Sequence, residues 1–158
     1  MNIIKAESKH AEVLATLLQP IQKLHADRYP DLFKYPLNHG AITTFFSKQL
    51  SKPNAAFFIA QAEDRPVGYL WCTLEKHGGG LFKHPHSKVY IHHISVNPES
   101  QGKGAGRHLL AAAERFAESN GITKIELDSW GFNSQAHNFF EGMGYSKFNV
   151  GFWKVLEL

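Results

Sequence analysis

The sequence predicts an α+β fold, a sheet with helices on both faces, and three observations point to it. Short runs rich in apolar and aromatic residues, separated by turn residues, fill the middle of the chain between Ala56 and Val96. Runs with apolar residues at helical spacing flank them on either side. A strand-like run ending at Val96 then passes through the glycine-rich turn Gln101-Gly102-Lys103-Gly104-Ala105-Gly106 into a helical pattern and a further strand. That succession is a right-handed crossover between parallel strands.

Each element has its own justification. Asn2 to Lys5 read as a short first strand. Ser8 can cap a helix whose apolar residues Leu14, Leu17, Leu18 and Ile21 recur at helical spacing, with Pro20 expected to end or kink it and Leu24 continuing the apolar face. A polar and aromatic connection, His25 to Phe33, follows. Asn38 can cap a second helix with Ile42, Phe45, Phe46 and Leu50 on one face, closed by Pro53-Asn54. Ala56 to Ala60 and Val67 to Leu74 are strands joined by the turn Glu63-Asp64-Arg65-Pro66. Residues 76–87 are rich in glycine and histidine and read as a loop before a strand at 88–96. The next helix, from about Gly104 to Ser119, buries Leu109, Leu110, Ala113, Phe116 and Ala117 and stops at Asn120-Gly121. Ile122 to Trp130 form a strand. Asn133 or Ser134 caps a last helix carrying Ala136, Phe139, Phe140 and Met143, and Tyr145 to Phe148 and Gly151 to Leu156 are expected to close the sheet.

Composition narrows the function. The chain has 158 residues, enough for one domain with its own core, and no internal repeat or linker divides it, so residues 1–158 are read as a single domain. A formal net charge of +3 suits an anionic ligand but is too weak to argue for nucleic acid, and no arginine-rich arm supports that reading. The single cysteine, Cys72, excludes an internal disulfide, and its apolar setting marks a buried structural thiol. Lys5, Glu7 and Lys9 precede any apolar stretch, so no signal peptide is expected, and no run approaches membrane-spanning length. A cytoplasmic location is the expectation. The histidines at 77, 84 and 86 lack the cysteines or paired carboxylates of a metal set, and they read as a solvated loop.

The glycine turn is the most informative stretch. A strand, a glycine-rich turn and a helix N-terminus together make an anion site, because unpaired amides and the positive end of the helix dipole face outward there. A P-loop would need a hydroxyl after Gly-Lys, but Lys103 is followed by Gly104 and Ala105. A dinucleotide fingerprint also fails, because Gly102, Gly104 and Gly106 are spaced two and two.

The string Gln101-Gly102-Lys103-Gly104-Ala105-Gly106 resembles the Q/R-x-x-G-x-G/A motif of the GNAT superfamily of N-acyltransferases. The preceding Ile94-Ser95-Val96-Asn97-Pro98 and the following Leu109-Leu110 are similar too. A second stretch, Asn133-Ser134-Gln135-Ala136-His137-Asn138-Phe139-Phe140-Glu141-Gly142-Met143-Gly144-Tyr145, resembles the family's N-x-x-A-x-x-F-Y-E-K-x-G-F segment. The likeness covers residues 88–148. It implies one mixed, mostly antiparallel sheet of six to seven strands, splayed at the coenzyme A site and flanked by about four helices. It further implies that acetyl-CoA is the cosubstrate. The amides of Gln101 to Arg107 would take the pyrophosphate, with Lys103 and Arg107 nearby. The pantetheine arm would lie beside Ile94, Ser95 and Val96 as an added strand. Asn133 would bond the pantetheine or cap its helix, and Phe139 and Phe140 would complete the cofactor side.

The chemistry expected of such a site is proton removal from an amine and stabilisation of an oxyanion. Period-two alternation puts Tyr90, His92, Ile94 and Val96 on one strand face and Ile91, His93 and Ser95 on the other, unless a bulge reverses them. His92 falls where several family members carry a facing glutamate or histidine, so it is the candidate base, with His93 read as structural. The resemblance assigns the oxyanion donor to the amide near Val96, and Tyr29, Tyr90 and His92 to the acceptor side. The family's usual tyrosine acid is replaced by Phe140. The proton for the leaving thiolate is then left to water, Tyr90 or Ser134. The implied function is transfer of acetyl from acetyl-CoA to a primary amine of a small molecule, peptide or protein by direct attack in a ternary complex. The alternative is a catalytically weak acyl-CoA-binding sensor. No metal, nucleic acid or membrane partner is expected, and exposed C-terminal edges lead to the expectation of a homodimer.

Overall fold

The computed structural model describes residues 1–158, which form two compact units, Met1–Asp128 and Ser129–Leu158. The first unit holds a five-stranded sheet in sequential order: β1 (Asn2–Lys5), β2 (Ala55–Ala62), β3 (Arg65–His77), β4 (His86–Val96) and β5 (Ile125–Leu127). Its helices are α1 (Ala11–Arg28), α2 (His39–Leu50) and α3 (Ala105–Ser119). β1 to β4 pair antiparallel and β5 joins β4 in parallel after α3, as the crossover pattern predicts.

Alternation along β2 distributes the helices. Phe57 points to one face and meets Phe46 of α2 edge-on at 5.9 Å, while Phe58 points to the other and meets Phe116 of α3 at 6.3 Å. The α1/α2 face is the aromatic one. Phe46 is fully buried and also lies edge-on to Tyr69, Trp71 and His93. Edge-to-face pairs of this kind add about 0.5–1.5 kcal/mol each beyond simple burial. On the α3 side Leu109, Leu110 and Ala113 are buried, with Leu70 and Cys72 beneath the sheet surface. Burial pushes the Cys72 thiol up to about 12, so it is an inert core residue.

Several elements differ from the sequence reading. α1 runs unbroken through Pro20 to Arg28, because the buried Leu14, Leu17 and Leu18 anchor it on the sheet, whereas Leu24 is exposed. The β3–β4 hairpin extends further than expected, to the pair His77–His86, whose rings stack at 4.7 Å. Only residues 78–85 are left to connect the two strands. β5 shrinks to Ile125–Leu127.

The second unit contains α4 (Ser134–Gly142), capped by Asn133, whose side chain accepts from the Ala136 amide at 3.1 Å. The two closing strands do not form, so the sheet has five strands rather than six to seven. An apolar alternation becomes a strand only against a ladder partner. Here Phe148, Val150, Phe152 and Val155 stay exposed, Phe152 at 94%.

Candidate active site

β4 carries the irregularity that shapes the site. Trp71 of β3 pairs with His93 and the next residue, Cys72, pairs with Ile91, so His92 has no partner across the ladder. This is a β-bulge, and it changes which side chains share a face. Tyr90 lies opposite Thr73, His93 opposite Trp71 and Ser95 opposite Tyr69, all on the α1/α2 face. His92 joins them: its ring stacks on Trp71 at 4.2 Å and its Nε2 lies 2.8 Å from Thr73 Oγ1. The expected alternation is therefore corrected. Tyr90, His92, His93 and Ser95 share one face, while Ile94 and Val96 stand across from Leu70 and Gly68 on the other.

The two histidines differ in what they can do. His93 is held at Nδ1 by the fully buried Tyr69 hydroxyl at 2.8 Å. Burial, with His92 and His25 nearby, pushes its pKa down to about 4, so it stays neutral and its Nδ1 accepts a hydrogen bond from the tyrosine hydroxyl. Burial also lowers His92 below the ordinary histidine value, with Glu75 pulling it up and Lys52 pulling it down. His92 is half-buried, and no protein atom bonds its Nδ1. Tyr90 is committed elsewhere. Its hydroxyl donates to Asp128 Oδ2, and burial followed by the carboxylates of Asp128, Glu75 and Glu126 raises its pKa well above that of a free phenol. A proton held so firmly is poorly suited to a departing thiolate.

Beyond the bulge the outer edge of β4 opens. β5 pairs only with Val89, Tyr90 and Ile91 and ends there, because the bulged strand bends away from it. The Asn97 amide donates inward to Val67 O at 2.8 Å. Backbone alternation then turns the amides of Ile94 and Val96 toward the open edge. The Gln101 side chain closes this corner by donating to Val96 O at 3.2 Å, and buried Ser95 donates to Leu17 O of α1 at 3.1 Å. A close approach makes the corner possible. A Cβ on Gly68 would come within 2.6 Å of Ser95 O, so only glycine fits opposite Val96.

The turn after β4 frames a helix N-terminus. Gly102 and Gly104 take φ of 74° and 88°, the left-handed region that glycine enters without strain. Gly104 is the N-cap of α3 and offers no side-chain cap. The first intrahelical amide bond is His108 N to Gly104 O, leaving the amides of Ala105, Gly106 and Arg107 to face an anion. Lys103 and Arg107 are exposed beside them. These residues fit a pyrophosphate by charge and by donor count.

The remaining candidates divide. Tyr29 is the C-cap of α1, half-buried, with the Arg28 guanidinium 5.4 Å from its ring centre. Asp27 is paired with Lys23 at 2.6 Å. Asn133 caps α4 in the second unit, Phe139 is half-buried there, and Phe140 is buried against Tyr145 at 6.0 Å. The sequence reading missed Gly68, Trp71, Thr73 and Glu75, all on β3. Their only signal was position: β3 lies beside β4, so its alternate residues had to share the histidine face.

A sheet edge left open beside a glycine-framed helix N-terminus, with His92 one bulge away, is an arrangement that suits an acyltransferase. Residues 18–145 match the family model described as "Acetyltransferase (GNAT) family", and the chain belongs to that family. It is 26% identical over 121 residues to the uncharacterized N-acetyltransferase YycN of Bacillus subtilis, covering 76% of this chain and 74% of that one. It is 29% identical over 96 residues to the mycothiol acetyltransferase of Thermobispora bispora, covering 61% of this chain but 32% of that longer protein. A tetramutant of the BH1408 protein from Bacillus halodurans has the same fold, with a TM-score of 0.91 at 21% identity over 99% of this chain and 100% of that one. The protein is an acyltransferase of the GNAT fold. No helix is long and apolar enough to cross a membrane.

Proposed function

We propose that this chain is an N-acetyltransferase that moves an acetyl group from acetyl-CoA to a primary amine of a small molecule or peptide by direct attack in a ternary complex. The observation that carries the reading is the β4 bulge, which sets His92 next to the open edge at Ile94 and Val96. The amides of Ala105 to Arg107, with Lys103 and Arg107, hold the pyrophosphate, and the β4 edge hydrogen-bonds the pantetheine as an added strand. His92, neutral at pH 7, takes a proton from the acceptor, since a primary alkylamine of pKa about 10.4 arrives protonated and must lose that proton to attack. The outward Val96 amide stabilises the negative oxygen as the amine nitrogen bonds to the carbonyl carbon. Carbon–sulfur cleavage then releases a thiolate, whose ordinary pKa of about 8.5 makes it a workable leaving group, and the second proton that the newly bonded nitrogen must lose passes through water to that sulfur. Phe140 has no proton to give, and Tyr90 keeps its own.

The test is thiol release from acetyl-CoA against a panel of polyamines, aminoglycosides, amino acids and short peptides, with wild type beside His92→Ala. Turnover with at least one amine, and a fall of about 10²–10⁴-fold in kcat/KM for the variant, is expected of a general base. Coenzyme A binding with no turnover by any amine class would favour a sensor instead. Undiminished turnover in the variant would remove His92 from the mechanism.

A further inference from the structure

Two β3 side chains behind His92 form a directed hydrogen-bond chain. Thr73 Oγ1 is buried and lies 2.8 Å from His92 Nε2 and 3.4 Å from Glu75 Oε1. A threonine hydroxyl has one proton to give. A carboxylate is a stronger acceptor than a neutral imidazole nitrogen, because the bond to it is charge-assisted. With its proton directed to Glu75, the Thr73 oxygen is left to accept from His92 Nε2–H. We propose that Thr73 and Glu75 are positioning residues that hold His92 with a proton on Nε2, leaving Nδ1 as the atom that takes the acceptor's proton. The proposal rests on His92 being the base.

The direction of the chain suits the chemistry. Before proton uptake Nε2–H already donates to Thr73, and after uptake at Nδ1 the same bond remains while the ring gains a charge. No hydroxyl has to turn during the step, which is the advantage of a pre-oriented site. The ring cannot swing away, because Trp71 lies parallel to it at 4.2 Å and Tyr90 stands edge-on at 4.9 Å. The charges that reach His92 come from Glu75 on β3 and Lys52 beyond α2. On β4 itself, His93 stays neutral and Tyr90 keeps its proton, donating it in a hydrogen bond to Asp128. Glu75 is thus the one anion acting on the base. It is tempered by His77 at 3.4 Å and Lys88 at 3.8 Å.

The experiment is nitrogen-15 NMR of the histidine-labelled protein, with Thr73→Val, Thr73→Ser and Glu75→Gln beside wild type, each also followed through a pH–rate profile. Neutral His92 is expected to carry its proton on Nε2 in wild type and in Thr73→Ser, and to lose that preference in Thr73→Val. Glu75→Gln is expected to move the His92 titration down by about half a pH unit or more, and the acid limb of kcat/KM with it. A wild-type proton on Nδ1, an unchanged tautomer in Thr73→Val, or a titration unmoved in Glu75→Gln would each overturn the proposal. The tautomer is read without turnover. An Nε2 proton in a protein whose His92→Ala variant keeps full activity would therefore uphold the positioning and overturn only the role of the base.

Discussion

Partly buried His93 and fully buried Tyr69 form a hydrogen-bonded pair whose effect shows in acid. Above pH 6.5 the histidine is neutral both folded and unfolded, and the low folded pKa of about 4 costs nothing. As the pH falls from 6.5 toward 4 the unfolded chain takes up a proton that the fold refuses, so stability drops through that window and levels off below it. The size is roughly 3 kcal/mol by the conversion of pKa shift to free energy. Replacing His93 with Gln keeps an acceptor for the Tyr69 hydroxyl but removes the titration. Denaturant midpoints measured from pH 7 to pH 4 are then expected to fall less steeply than in wild type, and equal slopes would contradict a neutral His93 in the fold. His92 has a kinetic counterpart. The proposed role of base needs its neutral form, and burial lowers its pKa, so kcat/KM is expected to decline on the acid side with an inflection below pH 6.5. An inflection above 6.5 would point to another group.

At the scale of the element, the close approach of β3 to β4 is the feature to perturb. Adding a methyl at Gly68 puts it 2.6 Å from Ser95 O and 3.1 Å from Val96 Cα, both backbone atoms that cannot rotate aside. Gly68→Ala is expected to lower stability by about 1–3 kcal/mol, the usual cost of overpacking. Because the displaced strand carries Val96 and leads into the glycine turn, acetyl-CoA binding measured by calorimetry should weaken as well. Unchanged stability and affinity together would show that the strands part without consequence. The elements also show what sequence could and could not reveal. The glycine turn was legible because left-handed Gly102 and Gly104 leave a local mark, and the α3 pattern after it is strongly one-sided. The bulge was not, since it exists only in the register between two strands. A period-two count along β4 alone put His93 on the wrong face. Gly68 looked like any strand glycine, for its reason lies in a residue twenty-seven positions away, on Ser95.

Across the whole molecule, stabilising contacts are unevenly spread. Phe46 is fully enclosed by Phe57, Tyr69 and Trp71, and Phe46→Ala should cost about 3–5 kcal/mol. Phe152 and Val155 are 94% and 87% exposed, and serine at either should change stability by no more than about 0.5 kcal/mol. Thermal or denaturant unfolding of the three variants checks both values, and a large loss at Phe152 would mean that the C-terminal residues are covered in solution. The same unevenness explains why the last strands were misread. Tyr145 to Leu156 have strand-forming side chains, but a side chain's preference for a sheet is realised only where a ladder and a packed neighbour receive it. The bulge at His92 has one more consequence. Since that residue stands outside the ladder, deleting it would restore a regular strand, and every other β4 side chain would keep both its partner and its face. Exchanging it would likewise leave the inter-strand pairing intact. The scaffold thus treats the proposed reactive position as an insert, so it can be redesigned, or lost by a single codon deletion, without changing the pairing of the strand that carries it.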